Sequence, residues 1–178
     1  MNKILSTVLS AAVIASMAGC STPAASKTSS TGEGKTSVVA EDGTKSEGVM
    51  TYAEYVDAAV DSEVTVETYV QAKQGWWEDK GVGKATLYTQ DQEGAYFLYD
   101  VEMSEEDYNK LTEGTKIKAV GYKSEWSGEV EITDATFEIE EGNYIAEPVD
   151  LTDMLANEDE LIKHQNEKFS VKGLTVSA

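Results

Sequence analysis

The sequence contains no arginine: its 14 basic residues are all lysines, set against 33 acids, for a formal net charge of −19. Nucleic-acid binding draws most of its affinity from cationic side chains that neutralise phosphates. Arginine is also the favoured group for bidentate reading of phosphate and guanine. A chain this acidic repels DNA, RNA and anionic headgroups, so nucleic acid is disfavoured as a partner. One cysteine, Cys20, excludes a disulfide within the chain. One histidine, His164, supports neither a zinc site nor a catalytic triad. No glycine-rich phosphate loop, serine-nucleophile motif or metal-ligand cluster is present. "TQDQEG" and "EDGTKSEG" lack the ligand spacing of a calcium loop and read as turns. The sequence thus offers no catalytic residue and calls for no cofactor or metal. The apolar run at residues 4–17 is shorter than the ~20 residues a spanning helix needs.

That run belongs to a start, "MNKILSTVLSAAVIASMAGCSTPAAS", with the three parts of a secretion signal: a charged tip at Lys3, an apolar centre and small residues before Cys20. Met17-Ala18-Gly19-Cys20 resembles the lipobox of bacterial lipoproteins, with Met17 where leucine is usual. The resemblance implies cleavage of residues 1–19, lipid (palmitate among the acyl chains) on the amine and thiol of Cys20, and an anchor on the extracytoplasmic face of a bacterial cell membrane. The alternative is plain secretion with an incidental cysteine. Cleavage removes Lys3 and no acid, leaving 13 lysines against 33 acids and a charge of −20. Residues 20–48 are small, polar and glycine-spotted; they cannot bury enough apolar area to order themselves and read as a flexible tether.

The folded domain is expected over residues 49–147. "TYAEYVDAAV" carries a capping-box pattern, Thr51 with Glu54, and places Tyr52, Tyr55, Val56 and Ala59 on one helical face. "EVTVETYVQA" then alternates Val64, Val66, Thr68, Val70 and Ala72 on one face, the mark of a strand. "KATLYTQ", a turn at residues 91–94, and "AYFLYDV" give strands two and three. "SEEDYNKL" is a short helix with Ser104 as N-cap and acids in its first turn. "TKIKAVGYKS" and "EVEITDATFEIEE" give strands four and five, the last with a break near Asp134. The expected fold is all-β with short helices, a five-stranded OB-fold Greek-key barrel with a helix between strands three and four. About 95 residues suffice to bury its core without metal or disulfide.

Residues 63–140 also resemble OB-fold domains of secreted bacterial proteins. Tyr88, Gln90, Asp91 and Gly94 match that family's hairpin pattern, and Gly114, Lys116 and Gly121 match the pattern that opens its fourth strand. Thr68 stands where its strand-one glycine would be, which implies less curvature there. The resemblance bears on fold more than on function, because the fold hosts many functions.

Residues 148–178 repeat the order of a helical stretch followed by an alternating strand, with Phe169, Val171, Gly173 and Leu174 in the strand. This is consistent with a truncated second OB-like repeat, or with a helix and strand packed on the single domain. His164 is expected to be exposed on that helix.

The tryptophans are where function is sought. Trp76 and Trp77 fall in the connection between strands one and two, and Trp126 in the connection between strands four and five. In an OB-fold these connections flank the face that binds oligonucleotides and oligosaccharides. Tyr88, with Tyr96 or Tyr99, is expected to floor the site. Aromatic faces stack on apolar or flat partners at low entropic cost. The nearby lysines, Lys73, Lys80, Lys84 and Lys123, are offset by Glu78, Asp79 and Glu125, which favours a glycan or peptide over a nucleic acid. The expectation is a non-catalytic binding module using Trp76, Trp77, Tyr88, Tyr99 and Trp126. The competing readings have the tryptophans plug the barrel ends or meet a protein partner in a structural or assembly domain, or serve a single-stranded nucleic-acid module, which the acidic charge disfavours. Adjacent side chains on a strand point to opposite faces, so one of Trp76 and Trp77 is expected to turn inward.

Overall fold

The structure, a computed structural model, describes residues 45–175. The expected signal segment 1–19, the lipidation site Cys20 and most of the tether lie outside the described residues. Among the described residues no helix is long and apolar enough to cross a membrane. The chain is mostly β-sheet with a few short helices.

Helix α1 (Tyr52–Asp57) starts at the capping box. The Thr51 hydroxyl accepts the Glu54 amide at 3.3 Å, and the Glu54 carboxylate accepts the Thr51 amide at 2.8 Å. Of the expected apolar face only Tyr52 and Tyr55 pack inward; Val56 is 51% exposed and Ala59 lies beyond the helix. The helix is short because Ala58 is already extended and a buried lysine takes its last carbonyls. Lys123 Nζ donates to the carbonyl oxygens of Tyr55 (3.0 Å), Val56 (2.7 Å) and Ala58 (2.8 Å). A cation there satisfies carbonyls that the helix leaves unpaired.

The main sheet contains β1 (Glu63–Lys73), β2 (Trp77–Asp79), β3 (Val82–Gln90), β4 (Ala95–Glu102), β5 (Thr115–Trp126) and β6 (Glu129–Asn143), with α2 (Glu105–Lys110) between β4 and β5. The strand order is β1-β5-β6-β4-β3-β2, and β1 also pairs with β3, so the hydrogen bonds run round a ring. All pairings are antiparallel except β4 with β6, joined in parallel at Leu98 and Ile132. The sheet has six strands where five were expected. The additional one, β2, forms in the segment expected as a loop, because Lys80 (φ 53°) and Gly81 (φ 84°) make a two-residue turn with both residues left-handed. Such turns match the twist of the strands they join. Ser127 (φ 53°) and Gly128 (φ 90°) do the same between β5 and β6.

Bulges bend the strands. Asp100 and Asp134 adopt φ of 47° and 49° where the β3–β4 and β5–β6 registers shift; an extra residue on one strand sharpens local bend and twist. Strand β6 therefore runs through Asp134 rather than breaking there. A further shift between Val70 and Ala72 turns Ala72 out, while Val64, Val66, Thr68 and Val70 stay buried. The core gathers Val64, Val66, Leu87, Leu98, Ile117 and Ile132 around Tyr96 and Leu111. The β3–β4 turn is held by buried Asp91. Its Oδ1 accepts the amides of Glu93 (2.7 Å) and Gly94 (2.9 Å), and its Oδ2 accepts the Tyr96 hydroxyl (3.1 Å) and Lys45 Nζ (2.5 Å). Burial, with the Asp91 charge beside it, pushes the Tyr96 phenol far above its ordinary range.

Beyond β6, the two-residue strands β7 (Val149–Asp150) and β8 (Phe169–Ser170) pair in parallel, with short helical turns including α3 (Glu158–Leu161) between them. Gln165 joins this segment to the β5–β6 hairpin: its side chain accepts the Val130 amide and donates to the Gly128 carbonyl, both at 2.8 Å. His164 is partly buried rather than exposed, with Nδ1 2.8 Å from the Glu167 carboxylate.

Candidate functional site

Leu87 and Leu98 are opposed on β3 and β4 and point into the core, so their neighbours Tyr88, Phe97 and Tyr99 lie on the other face, where Phe97 is only 6% exposed and Tyr99 is 46% exposed. Tyr88 and Phe97 face each other across the two strands with ring centroids 5.1 Å apart. Phe97 and Tyr99, two residues apart on one strand face, have centroids 6.2 Å apart. The β5–β6 hairpin supplies the other wall. Its turn pairs Trp126 with Glu129, and Glu131 follows two residues on. Phe97, Tyr99, Trp126, Glu129 and Glu131 line one cleft of about 310 Å³. Trp126 is 71% exposed, the most exposed large apolar side chain among the described residues.

The cleft is acidic. Neither Glu129 nor Glu131 forms an ion pair among the described residues. Burial raises the pKa of the Glu131 carboxyl; the charges of Glu129 and Asp100 add to this, and a hydrogen bond from Ser124 opposes it.

The predicted site residues are divided. Tyr99 and Trp126 share the cleft, and Tyr88 adjoins it through its contact with Phe97. Trp76 is turned away from it. Its indole packs on the core and its Nε1–H donates to the Met103 carbonyl at 3.2 Å. Gly83 makes room for that ring: a Cβ there would sit 2.5 Å from Trp76 Cζ2 and 2.6 Å from the Met103 oxygen. Trp77 points the other way, 42% exposed on β2, with Lys84 Nζ 5.9 Å from its ring, and does not line the cleft. Tyr96, the alternative to Tyr99, is fully buried.

Two of the four lysines counted around the site serve the helices. Lys123 is bound to the end of α1, and Lys73 donates to the Tyr108 carbonyl and lies 3.7 Å over the Tyr108 ring. The site is therefore more acidic than its sequence neighbourhood implied. Sequence reasoning missed Phe97, Glu129 and Glu131. Phe97 was legible from strand parity, since it shares a face with Tyr99; the glutamates were not, because the parallel β4–β6 pairing at Leu98 and Ile132, between strands distant in sequence, brings them beside β4. Among the described residues no group of three or more histidine, cysteine, aspartate or glutamate side chains is arranged to hold a metal ion.

Comparison of the chain with protein-family models, curated proteins and solved structures gave no match.

Proposed function

We propose that the protein is a lipid-anchored, extracytoplasmic binding module of the OB type, which holds a glycan or peptide on the outer face of β3 and β4 against the β5–β6 hairpin. The observation that carries this reading is the cleft: an exposed tryptophan opposite two aromatic rings, with carboxylates at its side. Aromatic faces supply stacking area, and the carboxylates supply acceptors for hydroxyl or amine donors. The OB assignment is supported by the strand ring and by its parallel β4–β6 closure. The face in question is the one such folds use for ligands. The anchor rests on the Met17-Ala18-Gly19-Cys20 pattern.

The inward packing of Trp76 favours a structural role for that one residue. It does not extend to Trp126. The test is tryptophan emission and acrylamide quenching of the full chain, titrated with a panel of glycans and peptides. A ligand that shields emission in the wild type and not in Trp126→Ala is the expected result. A panel that shields nothing, or shields both proteins equally, would contradict the proposal.

A further inference from the structure

We propose that the cleft recognises an organic ammonium group, held between the aromatic rings of Phe97, Tyr99 and Trp126 and the carboxylates of Glu129 and Glu131. This inference rests on the binding role proposed above and narrows its ligand class.

Four observations converge on it. Three aromatic side chains line one small space, and the faces of such rings attract cations, tryptophan most strongly. The two carboxylates share the hairpin wall with Trp126, facing Phe97 and Tyr99, and form no ion pair among the described residues. Glu131 is only 9% exposed, and its ionised form is disfavoured by burial and by Glu129 and Asp100. A carboxylate in this position gains more from an arriving cation than an exposed one, since it has already lost most of its water. Of the four lysines near the site in sequence, Lys73 and Lys123 are bonded to helix carbonyls, and none of the four lines the cleft. Lastly, the volume of about 310 Å³ lies at the small end for ligand pockets and suits one head group rather than a run of sugars. The formal charge of −19 also concentrates cations near the surface and speeds their arrival.

The test uses the full chain, labelled with ¹⁵N, and follows the indole N–H resonances. Choline is titrated beside its neutral isostere 3,3-dimethylbutan-1-ol, at ionic strength matched with sodium chloride. Saturable movement of the Trp126 resonance is expected for choline, with affinity about tenfold above the neutral isostere. Glu131→Gln and Glu129→Gln should each weaken choline about fivefold or more, while Glu105→Gln on α2 should leave it unchanged. Nα-acetyl-lysine amide, whose ε-ammonium is free, runs as a second cation. Tighter binding than choline assigns the ammonium to a lysine side chain, and weaker binding assigns it to a methylated ammonium; both outcomes support the proposal. Equal affinity for choline and the alcohol, or unchanged choline affinity in the glutamine variants, would overturn it. If neither cation binds but a neutral glycan moves Trp126, the ammonium proposal fails and the binding role stands. If nothing moves Trp126, both fail.

Discussion

Replacing Trp76 by alanine should destabilise the domain, and replacing Trp126 should not. The Trp76 ring packs on the core cluster and donates one hydrogen bond to the Met103 carbonyl. Truncating a fully buried tryptophan costs about 3–5 kcal/mol, and one neutral hydrogen bond contributes about 1 kcal/mol. For a half-buried ring the expected loss is about 2–4 kcal/mol, and a domain of this size melts roughly 3–5 °C lower for each kcal/mol. Trp76→Ala should therefore lower Tm by about 10 °C. Trp126→Ala removes a side chain that is 71% exposed, and surface changes stay within about 0.5 kcal/mol. Trp77→Ala should fall between them, at about 1 kcal/mol, since it gives up partial burial of a 42% exposed ring and a distant cation–π contact. Gly83→Ala tests the same packing from below. Its Cβ would collide with both the indole and the Met103 carbonyl, at a cost of about 1–3 kcal/mol. The double variant with Trp76→Ala should be less destabilised than the two singles added together, because the ring clash is gone. Urea and thermal unfolding followed by far-UV circular dichroism, which needs no tryptophan, measure all five. A loss below about 1 kcal/mol for Trp76→Ala, or a larger loss for Trp126→Ala, would refute the division of the tryptophans.

Three further outcomes are expected. Lys123→Met should cost about 2–4 kcal/mol in urea unfolding, since it strips a charged donor from three carbonyls at the end of α1; a neutral effect would mean that water replaces the lysine. Asp91→Ala removes four hydrogen-bond acceptor contacts from the β3–β4 turn and leaves Lys45 without its partner. It should cost about 3 kcal/mol or more, and Tm unchanged within about 2 °C would contradict the turn's role. Glu131→Gln should stabilise the unliganded chain at pH 7. The folded-state pKa of Glu131 is raised, so its ionisation opposes folding above that value, and the penalty fades as the carboxyl protonates on acidification. The gain should shrink toward zero near about pH 4, and a gain that persists or grows there would refute this origin.

The strands and the start of α1 were legible because their causes are local. Alternation over residues 63–72 and the Thr51–Glu54 box each lie within a few residues of one another. What escaped was set by distant partners or by backbone detail. Lys123 reaches back 65 to 68 positions to α1, so it read as one of the lysines beside the ligand site. The bulges at Asp100 and Asp134 and the shift after Val70 change strand parity without any marking in an apolar pattern. Trp76 and Trp77 were correctly expected to part, but only the β2–β3 pairing decides which one enters the core. The alternation from Phe169 to Leu174 read as one strand, but only Phe169–Ser170 is paired, and side-chain amides such as Gln165, which no apolar pattern marks, join the segment to the main sheet.

The most direct measurement is the ¹⁵N–¹H spectrum of the three tryptophan indoles, recorded while the full chain is titrated with glycans, peptides and ammonium compounds. Each indole reports one position, and Trp126→Phe assigns the one that matters. Saturable movement of the Trp126 resonance, with Trp76 stationary, is the result expected of a binding cleft. Trp126 unmoved across every ligand class, while Trp77 or Trp76 responds, would contradict a site on the face of β3 and β4.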